Sequence, residues 1–226
     1  MTNLTNSELR PVRVPAQNVE LNGDLALPSD SRGLVLFAHG SGSSRHSSRN
    51  RFVASELNQA GLATLLFDLL TEEEEYQEQY TRHLRFDIGM LANRLIAATD
   101  WATELHGLRD PAIGYFGAST GGGAALVAAV ARPKSVAAIV SRGGRPDLAT
   151  NALPYVRAPT LLIVGGEDHA VIEMNQEALE QLRCEKQLQI IPGATHLFEE
   201  PGALEKVALL ARQWFESHLR IPLFDQ

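Results

Sequence analysis

Ile113-Gly114-Tyr115-Phe116-Gly117-Ala118-Ser119-Thr120-Gly121-Gly122-Gly123 is an apolar run that ends in a turn of small residues with one serine at its centre. Within it, Gly117-Ala118-Ser119-Thr120-Gly121 fits the pattern G-x-S-x-G, in which a sharp strand-to-helix turn lifts a serine hydroxyl clear of a sheet. The glycines let neighbouring backbone pass close to the serine, where a Cβ would collide. Ser119 is thus the candidate nucleophile, and the small-residue stretch from Ser119 to Ala131, stopped by Pro133, is the helix that follows it.

The same alternation extends outward from this turn. Upstream, Gly33 to Ala38 is continuously apolar, as expected of a strand covered on both faces, and runs into the loop His39-Gly40-Ser41-Gly42. Phe52 to Ala60 has helical spacing and stops at Gly61, and Leu62 to Phe67 is a further buried strand. Val12 to Ala16 and Val19 to Leu27 alternate loosely and read as an antiparallel pair at a sheet edge. Thr71 to Gln79, with four consecutive glutamates, reads as a solvated loop and helix start rather than an acidic binding surface, and leads into one amphipathic stretch from Leu84 to Leu105. Downstream, Val136 to Val140, Thr160 to Val164 and Leu188 to Ile191 are short apolar strands, with helices at Val171 to Leu182 and Ala203 to Leu219. Strands alternating with helices imply an α/β fold with a mainly parallel sheet covered on both faces. No repeat, linker or low-complexity segment divides residues 1–226, so a single domain is expected.

A serine hydroxyl needs a general base and a group that holds that base in the right tautomer. Asp168 follows the strand Thr160 to Val164, and His196 follows Leu188 to Ile191, so both lie just past the carboxyl ends of strands, where open α/β sheets place their ligand crevice. Glu167 is the nearest rival for the acid, Asp147 a weaker one, and His169 a rival for the base; Asp168 could instead cap the helix near Val171. For the oxyanion, the backbone N–H of Thr120 is one expected donor and that of Ser41 the other. His39 reads as orienting this loop and not as a base.

With these residues in place the chain resembles an α/β-hydrolase, and more narrowly the dienelactone hydrolase family and its serine-bearing relatives. His39-Gly40-Ser41-Gly42, Gly117 to Gly121, Gly165-Gly166-Glu167-Asp168 and Gly193-Ala194-Thr195-His196 carry the resemblance, which extends from about Val19 to Leu219. It implies an eight-stranded sheet, a Ser119-Asp168-His196 triad and two backbone oxyanion donors. Dienelactone hydrolases proper have a cysteine where this chain has Ser119, and Cys184 reads as part of a helix far from the turn. The implied activity is hydrolysis of small esters through an acyl-enzyme; thioester cleavage or acyl transfer, lactone hydrolysis, and a non-catalytic binding role are the alternatives.

The interval between Val140 and Thr160 is too short for a cap domain, which leaves an open site rimmed by Ser41 to Arg51 and Thr71 to Arg82. Arg45 and Arg142 could select an anionic substrate, since a guanidinium holds carboxylate or phosphate in bidentate fashion; equally they could be surface arginines paired with nearby carboxylates. A net charge of −7 argues against nucleic acid or anionic membrane as partner. No ligand spacing such as H-E-x-x-H suggests a metal, and the glycine run lacks the register of a nucleotide loop, so no cofactor is expected. A single cysteine, a polar Met1 to Arg10 and no apolar run near about 18 residues give a cytoplasmic expectation, as monomer or homodimer.

Overall fold

The computed structural model describes residues 9–29, 31–105, 112–149 and 151–219; most of the Met1 to Arg10 segment lies outside them. The apolar runs become strands β1 (Leu9–Ala16), β2 (Val19–Ala26), β3 (Leu34–Ala38), β4 (Ala63–Phe67), β5 (Ile113–Ala118), β6 (Val136–Arg142), β7 (Thr160–Gly165) and β8 (Lys186–Ile191). They join in one eight-stranded sheet of order β1-β2-β4-β3-β5-β6-β7-β8. From β4 to β8 all pairs are parallel, while β1 and β2 form the antiparallel edge. Every residue of β3, β4, β5 and β7 is buried, as unbroken apolar runs require of strands covered on both faces. β1 carries Pro11 and Pro15, tolerated because an edge strand has one side without partners.

Alternation along each strand splits the core into two layers. Leu36 and Tyr115 pack on one face with α3 (Ile88–Thr103), α4 (Thr120–Ala131) and α5 (His169–Gln181). Val35, Phe37 and Phe116 pack on the other with α1 (Ser48–Gln59) and α6 (Ala203–His218). The architecture is an α/β-hydrolase fold, with every strand that matters for the site ending at one edge.

Several expected boundaries move for local reasons. α1 begins before Phe52 because Ser47 caps it, its side chain accepting from the Asn50 N–H. The segment expected as a solvated loop and helix start is helical from its first glutamate, α2 (Glu72–Thr81), opened by a capping box between Thr71 and Glu74. The amphipathic stretch from Leu84 is not continuous: a 3-10 turn over Leu84–Phe86 precedes α3, whose N-cap Asp87 accepts from the Met90 N–H at 2.9 Å. Cys184 lies in the turn between α5 and β8, not in a helix, half-buried against Thr160. Between β6 and β7 the described residues form only short 3-10 turns, Pro146–Ala149 and Leu153–Tyr155, and no cap domain.

Candidate active site

Ser119 sits between β5 and α4 with φ 52° and ψ −122°, a conformation unfavourable for any residue with a side chain. Its backbone is pinned on both sides. The Ser119 N–H donates to Arg142 O at 3.2 Å, and the Ser119 carbonyl accepts from Gly122 and Arg145 N–H at 2.9 and 3.0 Å. A Cβ at Gly121 would overlap the carbonyl of Ala38, and one at Gly40 would stand 2.9 Å from Ser119 Cβ. The small residues of the pattern therefore let the loop after β3 and the start of α4 close around the serine.

The rival acids separate cleanly. Asp168 occupies the N-cap position of α5 yet makes no side-chain capping bond. Its Oδ2 lies instead 2.6 Å from His196 Nδ1. A carboxylate can only accept, so Nδ1 carries the proton and Nε2 presents its lone pair. Glu167 and His169 are exposed, and Asp147 is held by Arg145 at 2.7 and 2.8 Å. His196 lies over Gly143, the residue after Arg142: a Cβ there would stand 3.4 Å from the imidazole. Among the described residues no hydrogen bond joins Ser119 Oγ to His196; such bonds often tighten only once substrate is bound.

On the opposite side, Ser41 N–H donates to Thr120 Oγ1 at 3.0 Å. The two residues expected as oxyanion donors are thus adjacent, although the Ser41 N–H is engaged by a neighbour. The Thr120 N–H, at the first turn of α4, has no acceptor within the helix. His39 is buried and braces this loop. Its Nε2 accepts from the Leu69 N–H at 2.9 Å, so Nδ1 carries the proton donated to Gly40 O at 2.9 Å. Burial pulls its pKa below the ordinary value and outweighs the Gly40 bond, which keeps the ring neutral. A small pocket of about 10 Å³ lies beside Ser41 and Thr120, and a wider cleft of about 560 Å³ opens from His39 and Gly42 toward Glu75 and Tyr76 of α2.

One feature of this wall carried no sequence signal. Glu78, fully buried, accepts through Oε1 from Thr81 Oγ1 and the N–H groups of His83 and Leu84, and through Oε2 from the N–H and Nε of Arg85. Arg85 itself lines the small pocket. Burial alone would raise the Glu78 carboxyl, but the bonds from Arg85 and Leu84 overcome it and hold the group down to about 2.

The arginines divide. Arg45 is not free for a ligand: its N–H and guanidinium are bound to Asp68, with Asp24 at 3.8 Å. Arg142 is the last residue of β6, not part of a loop after it, and is buried against Asn50 and the Phe198 ring. No metal-holding cluster of His, Cys, Asp or Glu and no helix long and apolar enough to cross a membrane occurs among the described residues.

A model of the dienelactone hydrolase family matches residues 21–217. The chain belongs to the dienelactone hydrolase family. The solved dienelactone hydrolase of Anabaena variabilis is 63% identical with a TM-score of 0.93, over 94% of this chain and 99% of that one. Est1E of Butyrivibrio proteoclasticus, 18% identical with a TM-score of 0.77 over 92% and 98%, shares the fold. A Mycobacterium tuberculosis protein that carries the provisional name of phosphoribosyl transferase is 57% identical over 208 residues, 92% of this chain but 46% of its own length. The chain thus spans about half the length of the curated relatives it matches.

Proposed function

We propose that the chain hydrolyses small esters through an acyl-enzyme on Ser119. The contact between Asp168 Oδ2 and His196 Nδ1 at 2.6 Å carries this reading, because it sets the imidazole tautomer that can take a proton from serine. Nε2 removes the hydroxyl proton as Ser119 Oγ bonds to the carbonyl carbon. The electron pair moves to the carbonyl oxygen, which the N–H groups of Ser41 and Thr120 receive, Ser41 exchanging its Thr120 Oγ1 partner for the oxyanion. The tetrahedral intermediate expels the alcohol, protonated by His196. Water then repeats the sequence on the acyl-serine, releasing the acid and restoring the enzyme.

The similarity to a dienelactone hydrolase favours a cyclic ester as a second substrate form, since the same steps open a lactone. The transferase name belongs to a protein about twice as long and gives no support to transferase chemistry in this chain alone.

The test is labelling by a fluorophosphonate probe together with p-nitrophenyl acetate turnover, in wild type and Ser119→Ala. Labelling and turnover that both vanish in the variant support the reading. A wild type that neither reacts with the probe nor turns over any ester in a panel of acyl lengths and lactones would leave the non-catalytic alternative.

A further inference from the structure

α5 buries Val171, Asn175 and Ala178, whose spacing of four and three residues places them on one face of the helix. Val171 and Ala178 are what a core-facing stripe calls for; Asn175, fully buried between them, brings an amide that must be satisfied there. One end of that amide faces two carbonyls, Gly144 O at 3.0 Å and Val171 O at 2.8 Å. Carbonyls only accept, so this end is the NH₂ and donates to both. The other end, Oδ1, is buried without a partner. The bond to Val171 O stays within the helix, where that carbonyl lies four residues back and is already served by the ladder. The contact to Gly144 O is the one that reaches out of α5, and no apolar side chain could make it.

Gly144 is the centre of a turn that both the nucleophile and the base rest on. Arg142 O accepts the Ser119 N–H at 3.2 Å, the Arg145 N–H donates to Ser119 O at 3.0 Å, and Gly143, with φ 51°, lies under His196 while its own N–H is held by Ile163 O at 2.7 Å. Gly144 has no slack, since a Cβ there would overlap Ser141 Oγ. The helix that grips this turn is the one that opens with Asp168 as its N-cap. Asp168 and Asn175 are seven residues apart, close to two full turns and about 10 Å along the axis, so both project from the same side of one rigid element. The start of α5 is tied in turn to the loop bearing His196, through Gly166 N–H to Ile191 O at 2.8 Å and Glu167 N–H to Ala194 O at 2.9 Å. Among the described residues no other side chain of α5 bonds to the 142–145 turn. We propose that Asn175 is a positioning residue for the reaction at Ser119: by holding Gly144 O it fixes the turn, and with it the separation of Ser119 from His196, relative to the helix that carries Asp168. The inference rests on the serine-hydrolase reading, since it concerns the approach of Ser119 Oγ to His196 Nε2. Asp168 sets the tautomer of the ring, whereas the distance from ring to serine depends on the turn beneath both.

Three variants test this, each assayed well below its own unfolding midpoint with p-nitrophenyl acetate and a fluorophosphonate probe. Asn175→Leu fills the space and leaves Gly144 O without its donor. Asn175→Thr is one atom shorter, so its hydroxyl serves only Val171 O, and it keeps the test open should Asn175→Leu not fold. Leu179→Ala, partly buried on the same helix, lowers stability without touching the turn. Both Asn175 variants lose kcat and kcat/KM together by about tenfold or more, so KM stays within about threefold, and probe labelling slows in step, because a shift on the order of 1 Å in reacting groups costs up to about 10²-fold. Leu179→Ala keeps kcat within about twofold at a comparable loss of Tm. A folded Asn175 variant whose kcat and labelling stay within about twofold of wild type overturns the proposal. So does a Leu179→Ala that loses as much kcat for the same loss of Tm, since the effect would then be one of stability. Failure of the serine-hydrolase reading shows elsewhere, in a wild type that neither labels nor turns over any ester.

Discussion

Replacing Glu78 by Gln isolates the buried carboxylate that ties α2 to the segment leading into α3. The side chain is fully buried, and its two oxygens accept from five donors, Arg85 supplying two of them to Oε2. Glutamine keeps one oxygen and turns the other acceptor into an NH₂ that faces the N–H and Nε of Arg85. Two charge-assisted bonds are lost; at the low end of about 1.5 kcal/mol each, the cost is roughly 3 kcal/mol. In a chain of this size that lowers Tm by roughly 6–12 °C at pH 7, read by calorimetry. The pH dependence gives an independent check. The carboxyl is held down from 4.5 to about 2, so the native state binds the proton more weakly than the unfolded chain does. The stabilisation is complete above about pH 4.5 and is lost as pH falls from there toward 2, so the gap between wild type and variant is roughly halved near pH 3. A drop of under about 2 °C at pH 7, or a gap that does not change between pH 5 and 3, would refute the assignment of these bonds as the anchor of the cleft wall.

Other positions test the site directly. Asp168→Asn reverses the hydrogen-bonding demand on His196 Nδ1 and is expected to lower kcat by about 10⁴ with little change in Tm, whereas Glu167→Gln, exposed, keeps kcat within about twofold; equal losses in p-nitrophenyl acetate assays would mean that the acid is misassigned. Gly40→Ala places a Cβ 2.9 Å from Ser119 Cβ and 3.1 Å from Ala118 O, so the loop bearing Ser41 must retreat; kcat/KM should fall by about tenfold or more, and fluorophosphonate labelling should slow in step. His39 is kept neutral by burial, its pKa below the ordinary 6.5, so the unfolded chain takes up the proton first as pH falls. Stability should therefore decline as pH drops below about 6.5, by up to about 1.4 kcal/mol per pH unit, and the slope in urea titrations should flatten in His39→Asn.

What could be read without coordinates follows from how local each determinant is. The G-x-S-x-G turn is legible because its glycines are dictated by contacts within one strand-turn-helix unit, such as Gly121 against the carbonyl of Ala38. The positions of Asp168 and His196 are legible because both follow short apolar runs set between turn signals, which read as strands; β7, before Asp168, is buried throughout, while β8, at the sheet edge, buries only Ile191. The choice of Asp168 over Glu167 is finer: the neighbours differ in which way the chain turns after Gly165, and only the Asp168 side chain meets the imidazole. α2 is legible only as a helix start, because its four glutamates look like a solvated run, while the capping box of Thr71 and Glu74, a visible S/T-x-x-E pattern, starts a helix whose late turn buries Glu78.

The arginines show where local reading stops. Arg45 and Arg49 lie in one polar stretch with the same chemistry, and Ser47 between them decides their fates. By capping α1, Ser47 makes Arg49 part of the helix's first turn, beside Arg142 across the face that α1 covers. Arg45 precedes the cap and remains in the loop, within reach of Asp68 just beyond the end of β4, where its charge is neutralised. Composition counts these residues as equals, but among the described residues Arg45 is held by Asp68, Arg49 meets the exposed Glu199 at 3.2 Å, and Arg142 has no carboxylate within ion-pair distance.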